Sequence, residues 1–172
     1  MDVADGAYYH DAVYWAARCG ITAGVAADRF GPNLTCTRAQ IVTFLWHAAG
    51  DPAPKTTTVP FTDVSVRDYF YKALCWATEA GITGGTSPTT FSPDMTVTRA
   101  QAVTMQWRAA SSPEAPAGEM FSDVPADAYY ANAVRWAAAN SITGGTGNHQ
   151  FSPAAPCTRA QIVTFLYQQF HT

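Results

Sequence analysis

Charge is scarce in this chain: only 13% of its 172 residues are charged, ten of them basic, for a net charge of −3. That balance excludes the basic patches that nucleic acid selects for. Long apolar runs are missing as well, since none approaches the roughly 20 residues that span a bilayer. The opening residues, Met1-Asp2-Val3-Ala4-Asp5, lack the basic start and apolar segment of a signal peptide. The chain therefore reads either as cytoplasmic or as a piece of a longer secreted protein, and its repeats favour the second. The four histidines, His10, His47, His149 and His171, occupy unmatched positions without metal-ligand spacing. There is no nucleophile elbow, no phosphate loop and no recurring carboxylate pair with a base. These absences predict a protein that is not an enzyme and needs no metal and no cofactor. What remains is a composition 48% hydrophobic, ordinary for one globular domain of this length.

Self-comparison shows what is there. Shifting the chain by 61 and then 60 residues aligns three units without a gap inside any of them. Asp2 matches Asp63 and Asp123, Tyr8 matches Tyr69 and Tyr129, and Trp15 matches Trp76 and Trp136. Gly24 falls on Gly85 and Gly145, and Phe30-x-Pro32 on Phe91-x-Pro93 and Phe151-x-Pro153. Each unit ends in Thr-Arg-Ala-Gln followed by an apolar run, and each arginine (Arg38, Arg99, Arg159) lies 36 residues after its aspartate. The units are 1–50, 61–110 and 121–172, joined by Pro/Thr/Ser-rich linkers at 51–60 and 111–120.

Every unit reads helix, loop, helix. Tyr9, Ala12, Val13 and Ala16 make one apolar face of the first helix, widened by Tyr8 and Trp15, with a glycine stop at Gly20 (Gly81 in unit two). The second helix runs from the Thr-Arg-Ala-Gln motif through Ile41, Val42, Leu45 and Ala49. A unit of about 60 residues buries too little to stand alone, so three units sharing one core are expected, a pseudo-threefold mainly α domain rather than an open solenoid.

Thr and Gln three residues apart form a capping box. The arginine between them is unexplained, because a cation at the first helical position opposes the helix dipole. Two readings stay open. One is an internal pair with the recurring Asp2, Asp63 or Asp123. The other is an external anion held by the guanidinium fork together with free amides at the helix start. The two can coexist if the aspartate orients the arginine. Trp15, Trp76 and Trp136 read more readily as core than as sugar-stacking platforms. Tyr8, Tyr69 and Tyr129 divide evenly between core and groove rim.

Four cysteines allow three full pairings, and there is no CxxC. Cys36 and Cys157 align with Val97, a site for a small hydrophobe. Cys75 aligns with Tyr14 and Arg135, which suggests a more exposed place. Free thiols are expected, with Cys19–Cys36 the pairing to consider if a bridge exists.

At Phe61-Thr62-Asp63-Val64, Gly81-Ile82-Thr83-Gly84-Gly85, Phe91-Ser92-Pro93 and Thr98-Arg99-Ala100-Gln101 the chain resembles the S-layer homology domain family. The ordered set occurs three times and covers essentially the whole chain. The resemblance implies a three-pronged spindle around a central helix bundle. It also implies non-covalent, non-catalytic anchoring of a bacterial surface protein to secondary cell-wall polysaccharide, frequently through a pyruvate ketal on N-acetylmannosamine. An extracellular, wall-associated location follows, without membrane insertion and with a monomeric isolated domain. On this reading Arg38, Arg99 and Arg159 meet the carboxylate of the sugar. Gly24, Gly85 and Gly145 let the backbone approach it, Asp2, Asp63 and Asp123 accept hydroxyls or position the arginine, and Tyr69 and Trp76 join the site.

The chain departs from the family pattern in several places. Gln40, Gln101 and Gln161 replace the glutamate of the family motif, Met1 stands where Phe61 and Phe121 do, and Ala23 replaces Gly84 and Gly144. Asn140-Ser141 replaces the helix-ending glycine, so the grooves are not expected to bind equally. The alternatives are a protein-interaction or self-assembly module on the same fold, and a scaffold for a catalytic or adhesive region elsewhere.

Overall fold

The computed structural model describes residues 2–118 and 121–171; Met1, Glu119, Met120 and Thr172, with the expectations that touch them, lie outside the described residues. Among the described residues there are six helices and no sheet: α1 His10–Arg18, α2 Arg38–Ala48, α3 Tyr71–Glu79, α4 Arg99–Ala109, α5 Ala131–Ala139 and α6 Arg159–Phe170.

The odd-numbered helices are short and one-sided. Ala12, Val13, Trp15 and Ala16 are the buried face of α1, while Asp11, Ala17 and Arg18 stay exposed. Tyr8 does not widen that face: it precedes the helix and is 68% exposed, as Tyr69 is, with Tyr129 at 63%. Gly20 and Gly81 follow the helix caps at φ +71° and +69°, the left-handed turn that glycine adopts without cost. Ser141 takes the same turn at φ +58° with a side chain attached.

The even-numbered helices are buried nearly all round. In α2 the residues Arg38, Ala39, Ile41, Val42, Thr43, Phe44 and Leu45 are all covered, a pattern that belongs to the middle of a domain rather than its surface. All three begin with a complete capping box: Thr37, Thr98 and Thr158 accept the amides of Gln40, Gln101 and Gln161, whose side chains take the cap amides in return.

Packing closes the three units on one another. Helices α2, α4 and α6 touch pairwise, while α3 lies on α2, α5 on α4 and α1 on α6. The first helix of each unit therefore packs on the second helix of the unit before it, and unit one completes unit three. At the equivalent positions 36, 97 and 157 the backbone forms a closed triangle. The Cys36 amide donates to Cys157, Val97 to Cys36 and Cys157 to Val97, each at 2.9 Å. Cys36 and Cys157 are fully buried in this triangle, and burial pushes both thiols up to about 12, so they stay protonated. All four cysteines are free, with Cys19 exposed. Cys75 corrects the expectation of an exposed site, since it is only 1% exposed. A thiol stops short of the surface that the aligned Tyr14 reaches.

Trp15 and Trp136 belong to the core, and Trp76 is half-buried against it. The linkers are pinned rather than loose. Trp46 and Trp107 donate their indole N–H groups to the carbonyls of Pro52 and Pro113, both at 2.8 Å. Glu79 accepts the amides of Lys55 and Thr56, at 3.0 Å each.

Candidate functional site

Each arginine crosses to the next unit. Arg38 Nε donates to the Phe91 carbonyl at 2.8 Å, Arg99 Nε to Phe151 at 2.8 Å and Arg159 Nε to Phe30 at 2.9 Å. The guanidinium carbon of each lies 4.8 Å from the ring centroid of that same phenylalanine. The second terminal nitrogen bonds the Gly84 carbonyl at 2.8 Å from Arg38, Thr143 Oγ1 at 3.4 Å from Arg99, and Thr22 Oγ1 at 3.1 Å from Arg159. All three side chains are 4% exposed or less. Among the described residues, no hydrogen-bond partner takes Nη1 of any of them.

The helix starts themselves are satisfied, which corrects the expectation that free amides share in holding an anion. The amides of Arg38 and Ala39 donate to Met95 and Pro93 of unit two, both at 2.9 Å. Together with the Phe91 carbonyl, these acceptors come from one turn, in which Ser92 takes φ +59° and the Met95 amide donates to the Ser92 carbonyl at 3.1 Å. Carbonyls 151, 153 and 155 serve Arg99 and Ala100 in the same way, and carbonyls 30, 32 and 34 serve Arg159 and Ala160.

The aspartates clamp those segments from behind. Asp63 accepts the amides of Phe91 and Ser92 at 2.8 and 2.7 Å, and Asp123 those of Phe151 and Ser152 at the same distances. Asp2 accepts Phe30 at 2.6 Å and Gly31 at 3.0 Å. Partial burial pushes each carboxyl up, but the backbone amides, with Arg38 beside Asp63 and Arg99 beside Asp123, outweigh it and hold them below the usual carboxylate range. Among the described residues no ion pair joins Arg38, Arg99 or Arg159 to an aspartate. The two charges instead meet through one peptide group: the Ser92 N–H donates to Asp63 and the Phe91 C=O bonded to it accepts from Arg38.

Around each arginine lies a groove built from all three units. The first is lined by Arg38, the loop Ile82–Gly85, Gln101, Thr104, Met105 and Arg108 of α4, and Tyr129. The second has Arg99, Ile142–Thr146, Gln161, Thr164 and Phe165 of α6, and Tyr8. The third has Arg159, Gly20–Val25, Gln40, Thr43, Phe44 and His47 of α2, and Tyr69. The tyrosines missing from the helix faces are here. Partial desolvation raises all three phenols above their ordinary value, so they remain neutral hydrogen-bonding groups at physiological pH.

Of the residues singled out in the sequence, the structure thus gathers Arg38, Arg99, Arg159, Gly24, Gly85, Gly145 and Tyr69 at the grooves. Asp2, Asp63 and Asp123 lie behind the loops and Trp76 packs on the core. Gly85 and Gly145 are required by their own loops: a Cβ at Gly85 would stand 2.1 Å from the Ser87 carbonyl, and one at Gly145 2.4 Å from that of Gln150. Gly84 and Gly144 are the open positions, where an added Cβ meets nothing within 4 Å. The alignment already carried that signal, because Ala23 occupies the same place in unit one.

The S-layer homology domain model matches residues 2–42, 60–103 and 121–163, one match in each repeat. The Surface-layer 125 kDa protein of Lysinibacillus sphaericus is 30% identical over 156 residues, which is 88% of this chain and 13% of that protein. The chain thus spans a small fraction of that relative's length.

Proposed function

Because the chain belongs to the S-layer homology domain family, whose members are generally cell-wall anchoring modules, we propose that it is a non-catalytic anchor whose grooves hold an acidic saccharide of the bacterial wall, of the pyruvylated N-acetylmannosamine kind. In this reading units 1–50, 61–110 and 121–172 form one monomeric spindle around α2, α4 and α6, displayed outside the cell as part of a larger surface protein. The observation that carries it is the threefold recurrence of one constellation: a buried guanidinium with Nη1 unclaimed by protein, an open loop position beside it, and an exposed tyrosine from the third unit. A buried cation that keeps a donor free attracts an anion that can replace lost hydration. The tyrosine ring offers an apolar plane to a sugar face and its hydroxyl a hydrogen bond. Asp2, Asp63 and Asp123 act as positioning residues, holding the carbonyl row that fixes each arginine.

Calorimetric titration with a synthetic pyruvylated N-acetylmannosamine saccharide tests the proposal. Binding by the intact chain, lost without the pyruvate and weakened at least several-fold in Tyr8→Ala, Tyr69→Ala or Tyr129→Ala variants of unchanged stability, is the expected result. Absence of binding by the folded chain overturns the carbohydrate reading and leaves a protein-interaction module on the same fold.

A further inference from the structure

The three grooves differ at one place that the repeat makes directly comparable. Position 47 of unit one aligns with 108 and 168, in the last turn of the helix that walls each groove. The residues are His47, Arg108 and Gln168. His47 lines the Arg159 groove with Nδ1 held by Asp51 at 2.5 Å. Gln168, at the corresponding place by the Arg99 groove, carries no charge. Arg108 lines the Arg38 groove, and among the described residues no carboxylate lies within ion-pair distance of it.

Arg108 has only a long 3.5 Å contact from Nη1 to the Ile82 carbonyl, whereas Arg38 bonds the Gly84 carbonyl of the same loop. Two residues along an extended chain separate equivalent atoms by at most roughly 7 Å, so two guanidinium groups stand on one short loop. The Tyr129 phenol at the same groove feels both Arg108 and Arg38 as neighbouring positive charges. Met105 replaces the aromatic ring that Phe44 and Phe165 supply to the other two grooves. The groove has exchanged an aromatic wall for a second cation.

We propose that the Arg38–Arg108 groove is a two-cation subsite selecting a doubly negative group on a saccharide, either one phosphate monoester or two carboxylates about one sugar apart, over the single carboxylate that suits the other grooves. A phosphate monoester, dianionic above about pH 6, can accept from the Nη1 that Arg38 keeps free and, in parallel, from the guanidinium fork of Arg108. This inference rests on reading the grooves as sites for acidic saccharides.

The test is titration of the whole isotope-labelled chain at pH 7.5, followed by the backbone amide resonances of Gly84, Gly144 and Gly24, one reporter for each groove. The probes are mannose 6-phosphate, digalacturonic acid and glucuronic acid. At Gly84, one or both of the doubly charged probes bind about tenfold more tightly than glucuronic acid, and about tenfold more tightly than at Gly144 or Gly24. Which of the two does so identifies the source of the second charge. Arg108→Gln removes that advantage at Gly84 and leaves the glucuronic acid response there within about twofold. Gln168→Arg creates the advantage at Gly144. Arg108 and Gln168 are exposed, so neither change threatens the fold. Equal affinity of single and double acids at Gly84, or indifference to Arg108→Gln, overturns the inference even if pyruvylated N-acetylmannosamine binds all three grooves. A doubly charged preference at Gly84 without any response to the pyruvylated sugar upholds it and removes the pyruvate reading alone. No response to any acidic probe removes both.

Discussion

Replacing Arg99 with alanine removes a side chain that ties unit two to unit three, and its cost can be worked from contacts. The Nε bond to the Phe151 carbonyl, at 2.8 Å, involves a charged donor and is worth about 1.5–3 kcal/mol. The guanidinium also lies over Phe151 at 4.8 Å and within 5.5 Å of Phe165, contributing about 0.5–2 kcal/mol. Against these stands the desolvation of a cation only 3% exposed, which alanine relieves. The Phe151 carbonyl is then left without its partner, and water entering from the groove recovers part of that loss. A net destabilisation of about 2–4 kcal/mol follows. In a domain of this size that is a fall of about 4–16 °C in melting temperature. Urea unfolding followed by tryptophan fluorescence measures it, with Arg108→Ala as the exposed control, expected within about 0.5 kcal/mol of wild type. An Arg99→Ala cost below about 1 kcal/mol would refute the account of the arginines as the fastening between units.

Three further outcomes follow from the same geometry. Ser141→Gly relieves a left-handed serine at φ +58° whose side chain makes no hydrogen bond among the described residues, and raises stability by about 0.5–1 kcal/mol in a thermal melt. A lower melting temperature for this variant would contradict the strain argument. Asp2, Asp63 and Asp123 are held below their ordinary values, so the stability they supply is complete above the unfolded value of about 4 and is lost as pH falls below it. The urea midpoint is therefore the same at pH 7 and 5 and lower at pH 3, with a smaller drop in Asp63→Asn/Asp123→Asn; a midpoint constant to pH 3 would contradict this. Gln101→Glu keeps the capping box and shifts stability by no more than about 0.5 kcal/mol. It also places a carboxylate in the Arg38 groove, so the affinity of that groove for acidic saccharides, read at the Gly84 amide, falls several-fold.

Much of this was legible from the repeat. Alignment at 61 and 60 residues located all six helices, and the Thr-x-x-Gln spacing gave three capping boxes, because both depend on interactions within a few residues. What the sequence could not carry was direction between units. The arginine at 38 reaches the loop at 84–91, and the tyrosine at 129 reaches the groove of Arg38 rather than the helix two residues on. Periodicity assigned Tyr8 to a helix face because helical spacing says nothing about a residue that precedes the first turn. Gly85 and Gly145 recur because their own loops leave no room for a Cβ, while the position that opens on the groove, at 23, 84 and 144, tolerates alanine and so shows less regularity.

The placement of a cation at a helix start has its explanation in the neighbouring unit. Carbonyls 91, 93 and 95 form a row whose oxygens face the start of α2: two take its first amides and the third takes Arg38 Nε. The row supplies the partial negative charge that the helix dipole and the guanidinium both require, so no external anion is needed for folding. Behind it Asp63 accepts the Ser92 N–H and so polarises the Phe91–Ser92 peptide, strengthening the Phe91 carbonyl as an acceptor. The same relay runs from Asp123 through the Ser152 N–H and Phe151 C=O to Arg99, and from Asp2 through the Gly31 N–H and Phe30 C=O to Arg159. Under the proposed function, fastening and binding use different atoms of one side chain, Nε and Nη2 for the neighbouring unit and Nη1 for the groove. Deleting an arginine confounds the two roles, because a lost site and a loosened junction both abolish binding. Only residues that touch the groove without holding the units together, such as Tyr129 and Arg108, report on recognition alone.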